Sequence, residues 1–169
     1  MTIAYLNGEF LPLEEARISP MDRGFLFGDG IYEVIPAYGG KMVGFGPHIS
    51  RMRDGLDAIE IKFDWGDEQW RDLCTALLEK NGNGNLGIYL HVTRGADSKR
   101  HHAYPEGIAP TVFAFAYDIP PATIPDKQAV TPFTVVTAED LRWQRCNIKS
   151  TSLLGNVMHY QQGHVGGQD

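Results

Sequence analysis

Side chains that alternate in character at a period of two narrow the folds open to this chain more than any other feature. Between residues 86 and 93, Leu86, Ile88, Leu90 and Val92 alternate with Tyr89, His91 and Thr93, and residues 111–119 alternate in the same way. Both runs predict strands. Two further pairs are predicted from turn chemistry. Asn7-Gly8, inside residues 3–11, supplies the positive φ angles of a type I′ hairpin, and Gly39-Gly40 predicts a second hairpin joining residues 31–37 to 41–45.

Helices are expected between these strands. After Pro47, the residues Ile49, Met52, Leu56 and Ile59 recur at three- and four-residue spacing and form one apolar stripe, which Gly55 weakens without breaking. A second helix fits residues 67–80, with Asp67 as its cap and Trp70, Leu73 and Leu77 on one face, and stops at Asn81-Gly82-Asn83-Gly84. Pro120, Pro121 and Pro125 then stiffen an extended stretch that reads as a linker. Beyond it, Val and Thr enrichment predicts a strand over 129–137, and a helix is expected over 150–162, capped by Ser150 or Ser152. The predicted organisation is α+β, with a first domain over 1–119, a linker over 120–126 and the start of a second domain over 127–169.

Composition removes several functions. A formal charge of -6, a pI near 5.4 and the lack of any long Lys or Arg run argue against a nucleic-acid partner. Cys74 and Cys146 stand far apart, without the paired spacing of a zinc ribbon or disulfide scaffold. The first thirteen residues show no basic stretch followed by an apolar one, and no apolar run reaches membrane-spanning length. These features lead to the expectation of a soluble, cytoplasmic protein.

Three places can carry chemistry. Lys149 falls between a strand-like approach and the expected helix start, where partial desolvation and the helix N-terminus would both favour the free amine. A free amine can condense with an aldehyde and then move a proton. On spacing alone an isolated lysine reads more readily as a solvated surface residue. Arg51 has a guanidinium suited to bidentate phosphate contact, or is an ordinary charge on a helix surface. Arg100 and His102, two apart in an extended loop, project to one side and could grip a carboxylate, or are the tip of an exposed basic loop. His101 and His102 point in opposite directions with no further ligand at metal spacing, so a metal site is not expected. Asp22 to Gly30 has glycines in the wrong order for a dinucleotide fingerprint, and a strand rather than a helix follows.

Together, Asp22-Arg23-Gly24, Gly28-Asp29-Gly30-Ile31-Tyr32-Glu33, His48-Ile49-x-Arg51, Val92-Thr93-Arg94-Gly95 and Cys146-x-Ile148-Lys149 occur in order along the chain. This set resembles the class IV (fold type IV) pyridoxal 5'-phosphate-dependent aminotransferases, and most closely the D-amino acid aminotransferases. The resemblance implies a two-domain fold of that type, with a complete N-terminal domain and only the beginning of the cofactor-binding domain. It implies Lys149 as Schiff-base lysine and proton shuttle, Arg51 on the cofactor phosphate, and Tyr32, Arg100 and His102 as the trap for the substrate α-carboxylate. The loop carrying Arg100 and His102 would reach into a neighbouring subunit, implying a homodimer. Transamination between a D-amino acid such as D-alanine and a 2-oxo acid such as 2-oxoglutarate is the implied activity. Aminodeoxychorismate lyase and branched-chain L-amino acid aminotransferase are the alternatives within the family, and a non-catalytic dimerising fragment is the alternative outside it. Family members continue past Asp169 with the acidic partner of the pyridine nitrogen, so the chain alone is expected to be inactive or nearly so.

Overall fold

The computed structural model describes residues 1–130 and 132–167. Six strands form one antiparallel sheet: β1 (Ile3–Leu6), β2 (Glu9–Pro12), β3 (Gly30–Tyr38), β4 (Lys41–Met42), β5 (Leu86–Thr93) and β6 (Thr111–Asp118), in the order β2-β1-β6-β5-β3-β4. Both predicted hairpins form, but the second strand of the second one, expected over 41–45, stops at Met42, and Phe45 already starts a helix. Asn7 and Gly8 take φ of 49° and 105°, the left-handed pair that a type I′ turn requires.

Three helices bear on the sheet and the site: α1 (Arg23–Phe27), α2 (Phe45–Ala58) and α3 (Asp67–Asn81). The helices α2 and α3 cover one face, where Ile31, Ile35, Ile49, Met52, Trp70, Leu77, Ile88 and Leu90 are buried in a common core. Helix α2 begins two residues before Pro47, which is tolerated there because an amide in the first turn has no intrahelical acceptor to lose. Gly55 has a packing reason: a Cβ at that position would stand 3.1 Å from the Ile31 side chain. In α3 the expected cap is corrected. Gly66 is the N-cap and Asp67 the first helical residue, and the Gly66 amide donates to Gln69 Oε1 at 3.0 Å.

Two other expectations fail. Residues 129–137 form no strand, Thr131 lying outside the described residues; Phe133, Val135 and Val136 are exposed. High β-propensity records how well a side chain suits a pleated, half-buried surface, and does not create that surface. The last helix, α4 (Leu154–Val165), starts four residues later than expected, and neither Ser150 nor Ser152 caps it, because Ser150 is bridged to Ile31 of β3 instead. None of the helices among the described residues is long and apolar enough to cross a membrane.

The two cysteines differ in exposure. Cys74 is enclosed in the core, and burial pushes its thiol up to about 12, with Arg71 pulling the other way, whereas Cys146 is exposed and its thiol donates to the Trp143 carbonyl at 2.9 Å. Thiolate is the reactive form. Iodoacetamide is therefore expected to modify Cys146 alone in the native protein and Cys74 only after denaturation, as peptide mass mapping would read; equal native rates would contradict the core described above.

Candidate active site

The site is built on the first half of β3. β4 pairs only with Ala37 and Tyr38, leaving the edge of β3 from Gly30 to Tyr32 open on that side. Residues 149–151 dock there. The Tyr32 amide donates to the Lys149 carbonyl at 3.1 Å, the Thr151 amide donates to the Gly30 carbonyl at 3.3 Å, and Ile31 bridges Ser150. Edge pairing thus brings together residues more than a hundred positions apart. Gly28 permits the close approach of the next residue: its φ is 67°, and a Cβ would lie 2.3 Å from Ser152 Oγ.

Lys149 is delivered by this docking onto the face of Tyr32, with Nζ 4.0 Å from the ring centroid. Since α4 begins at Leu154, the helix N-terminus expected beside Lys149 lies further along the chain; the aromatic ring is what it packs against. Tyr32 stacks in turn on Tyr89 at 5.6 Å, and burial pushes the Tyr89 phenol up to about 12.

Arg51 approaches from α2. Its Nε donates to Glu33 Oε1 at 2.5 Å and Nη2 to Glu33 Oε2 at 2.8 Å, and His48 Nδ1 lies 2.8 Å from Oε2. The Glu33 side chain is fully buried while that of Arg51 is half exposed. Burial pushes the Glu33 carboxyl up, and the bonds from Arg51 and His48 outweigh it, so the group is held below its ordinary value. The pair uses Nε and one proton of Nη2, leaving the Nη1 protons of Arg51 for another anion.

Tyr32, Arg51 and Lys149 line one cavity of about 410 Å³, together with Asn147, Ser150 and Asn156. Larger hollows of about 520 Å³ between residues 135–142 and α4, and of about 640 Å³ beside Trp65, contain no lysine. Arg100 and His102 are not in the Lys149 cavity. Both pack on Phe27, the Arg100 guanidinium 5.0 Å and the His102 ring 5.3 Å from its centroid, so they do project to one side. Within one chain they and Tyr32 form no common trap.

Glu33 and His48 belong to the sequence motifs, but the motifs alone imply no role for them. A signal existed for Glu33: in the alternation Ile31, Glu33, Ile35, Ala37 it occupies the core-facing register, where an unpaired carboxylate is excluded.

The cavity presents an amine, a guanidinium edge and a phenol, with amide and hydroxyl groups around them, a donor set that fits a phosphorylated aldehyde. Residues 30–167 match the family model for amino-transferase class IV. The chain belongs to the class IV aminotransferases. It is similar to D-alanine aminotransferases: 41% identical over 161 residues to that of Staphylococcus epidermidis, covering 94% of this chain and 55% of the relative, and 36% identical over 156 residues to that of Bacillus licheniformis, covering 92% and 54%. It therefore spans about half the length of the curated relatives it matches. The fold is that of a branched-chain aminotransferase from Thermoproteus uzoniensis, with a TM-score of 0.77 over 99% of this chain and 58% of that one at 18% identity. A 4-amino-4-deoxychorismate lyase from Pseudomonas aeruginosa also matches, with a TM-score of 0.57 over 69% of this chain and 40% of that one at 26% identity.

Proposed function

We propose that this chain is part of an enzyme that transfers an amino group between a D-amino acid such as D-alanine and a 2-oxo acid such as 2-oxoglutarate, using pyridoxal 5'-phosphate held by Lys149 and Arg51. The observation that carries this reading is the meeting of Lys149, Tyr32 and Arg51 in one cavity around the open edge of β3. When bound, the cofactor supplies an aldehyde that condenses with amines and a ring that accepts the electron pair left at the substrate α-carbon.

The residues divide the remaining work. Lys149 Nζ takes and returns the α-proton from the side of the cavity that it occupies over Tyr32. Arg51 holds the phosphate through the guanidinium edge that Glu33 leaves open, and Glu33 fixes the plane of that guanidinium. The Tyr32 hydroxyl, with Arg100 and His102 of a neighbouring copy in a homodimer, holds the α-carboxylate, which fixes the substrate face turned to Lys149. In this reading residues 1–119 are the first domain, 120–126 the linker and 127–169 the start of the cofactor-binding domain. The D-alanine aminotransferase relatives favour the D-amino acid over the branched-chain and lyase alternatives, whose matches rest on the fold.

The test is reductive trapping. Pyridoxal phosphate added to the protein is expected to give a Schiff-base absorption band, and borohydride to fix the phosphopyridoxyl group on Lys149, located by peptide mass mapping. A label on any other lysine, or none, ends this reading.

A further inference from the structure

We infer that Arg23, fixed by Asp29, is a positioning residue that sets where Arg100 and His102 stand; the inference rests on the proposed role of those two side chains in holding the substrate carboxylate. Arg23 is 3% exposed, although it belongs to the five-residue helix α1. Its guanidinium is divided three ways. Nε donates to Asp29 Oδ2 at 2.8 Å, Nη1 to the His101 carbonyl at 2.5 Å and Nη2 to the His102 carbonyl at 3.2 Å. A buried cation thus grips two successive peptide carbonyls, those of His101 and His102, 78 and 79 residues away.

The same guanidinium lies 4.9 Å from the Phe27 ring centroid, the ring against which Arg100 and His102 also pack. Asp29 is held in its turn by Arg94, through Nε to Oδ2 at 2.8 Å and Nη2 to Oδ1 at 3.0 Å. Arg94 is anchored on the carbonyls of Ile59 and Glu60 just past α2, at 2.6 and 3.2 Å, and its guanidinium stacks 3.6 Å from the Tyr104 ring centroid. The loop is therefore pinned to the body of the fold at His101 and His102 by Arg23 and at Tyr104 by Arg94. Residues 98–103 are otherwise exposed and carry no regular secondary structure. An exposed loop can present a guanidinium and an imidazole at a fixed place only if its backbone is held beforehand, because ordering it on binding would reduce affinity for the carboxylate. Lysine at position 23 would keep the charge opposite Asp29 but has no planar fork to reach two carbonyls as well.

Amide hydrogen exchange of wild type, Arg23→Lys and Arg23→Ala tests this directly. In both variants the amides of residues 98–104 are expected to exchange roughly tenfold faster or more, with those of β5 and β6 changed by less than about twofold. In turnover of D-alanine by the full enzyme of which this chain is proposed to be part, KM is expected to rise about tenfold with kcat within about threefold of wild type, a split that general loss of structure would not produce. Unchanged exchange in the loop overturns the inference, and so does exchange that rises equally throughout the sheet in both variants. A loosened loop with an unchanged KM leaves Arg23 as the loop's anchor and removes Arg100 and His102 from the substrate site, so the two readings fail separately.

Discussion

Replacing Arg51 by alanine is expected to destabilise the protein by about 3 kcal/mol at neutral pH, the cost of leaving one member of a buried ion pair without its partner. The reason lies in the asymmetry of the pair. Glu33 is fully buried on the core-facing register of β3, whereas the Arg51 side chain is half exposed. Removing the arginine leaves the carboxylate with only His48 Nδ1 at 2.8 Å, while removing the carboxylate leaves a guanidinium that water can reach. Glu33→Gln, which keeps the shape, should accordingly cost only about 1 kcal/mol, the size of a net hydrogen-bond loss. Urea unfolding of the two variants reads the difference, and equal losses would rule out the asymmetry.

The pH dependence supplies a second check on the same pair. Glu33 is held below its ordinary value, so its contribution to stability is present above the unfolded value of roughly 4.3 and is lost as pH falls through the folded one. In Arg51→Ala the carboxyl loses the interactions that keep it ionised and retains the burial that opposes ionisation. The stability gap between wild type and variant should therefore be largest near pH 7 and close as the solution is taken below about pH 4. A gap that is constant across that range would mean that Arg51 stabilises by packing alone.

How far the sequence discloses this architecture depends on the reach of the interaction involved. The hairpin at Asn7-Gly8 and the stripe Ile49, Met52, Leu56 are local, and both appear where turn chemistry and the 3.6-residue period place them. The segment 129–137 shows the limit, since Val and Thr enrichment has no structural consequence until a neighbouring strand completes the ladder. The candidate site divides along the same line. The motifs single out Lys149, Arg51 and Tyr32, and the structure brings these three into one cavity. That residues 149–151 would take the open edge of β3 follows from β4 being two residues long, a fact of pairing register that no local pattern states. Likewise Asp29 and Arg94 meet across 65 residues, and although the motifs contain Arg23, Asp29 and Arg94, no local pattern states that the three join. Glu33 is the intermediate case, because a carboxylate in an apolar register is visible in the alternation even though its partners are not.

His91 gives the second large effect, in a separate pH window. It stands opposite Tyr32 in the β3–β5 register with its Nε2 buried and without a hydrogen-bond partner among the described residues, and it shares a cavity of about 340 Å³ with Asp22 and Thr151. Burial pushes the imidazole down to about 4, against a smaller pull from the Asp22 carboxylate in the other direction. The folded protein therefore keeps His91 neutral where the unfolded chain, titrating near 6.5, has already taken a proton. By linkage the unfolded state binds more protons throughout that interval, so stability is full above about pH 6.5 and falls by about 1.4 kcal/mol per pH unit down to about 4. The loss accumulates to about 3 kcal/mol before Glu33 begins to matter. His91→Phe removes the titrating group and keeps a ring beside Tyr89, which lies 5.9 Å from the imidazole centroid in the wild-type protein. Its stability is expected to be nearly flat between pH 6.5 and 4, whereas wild type declines, as urea midpoints at a series of pH values would measure. An equal slope in the variant, or a His91 ring that titrates near 6.5 by proton NMR, would show that burial does not hold the imidazole neutral.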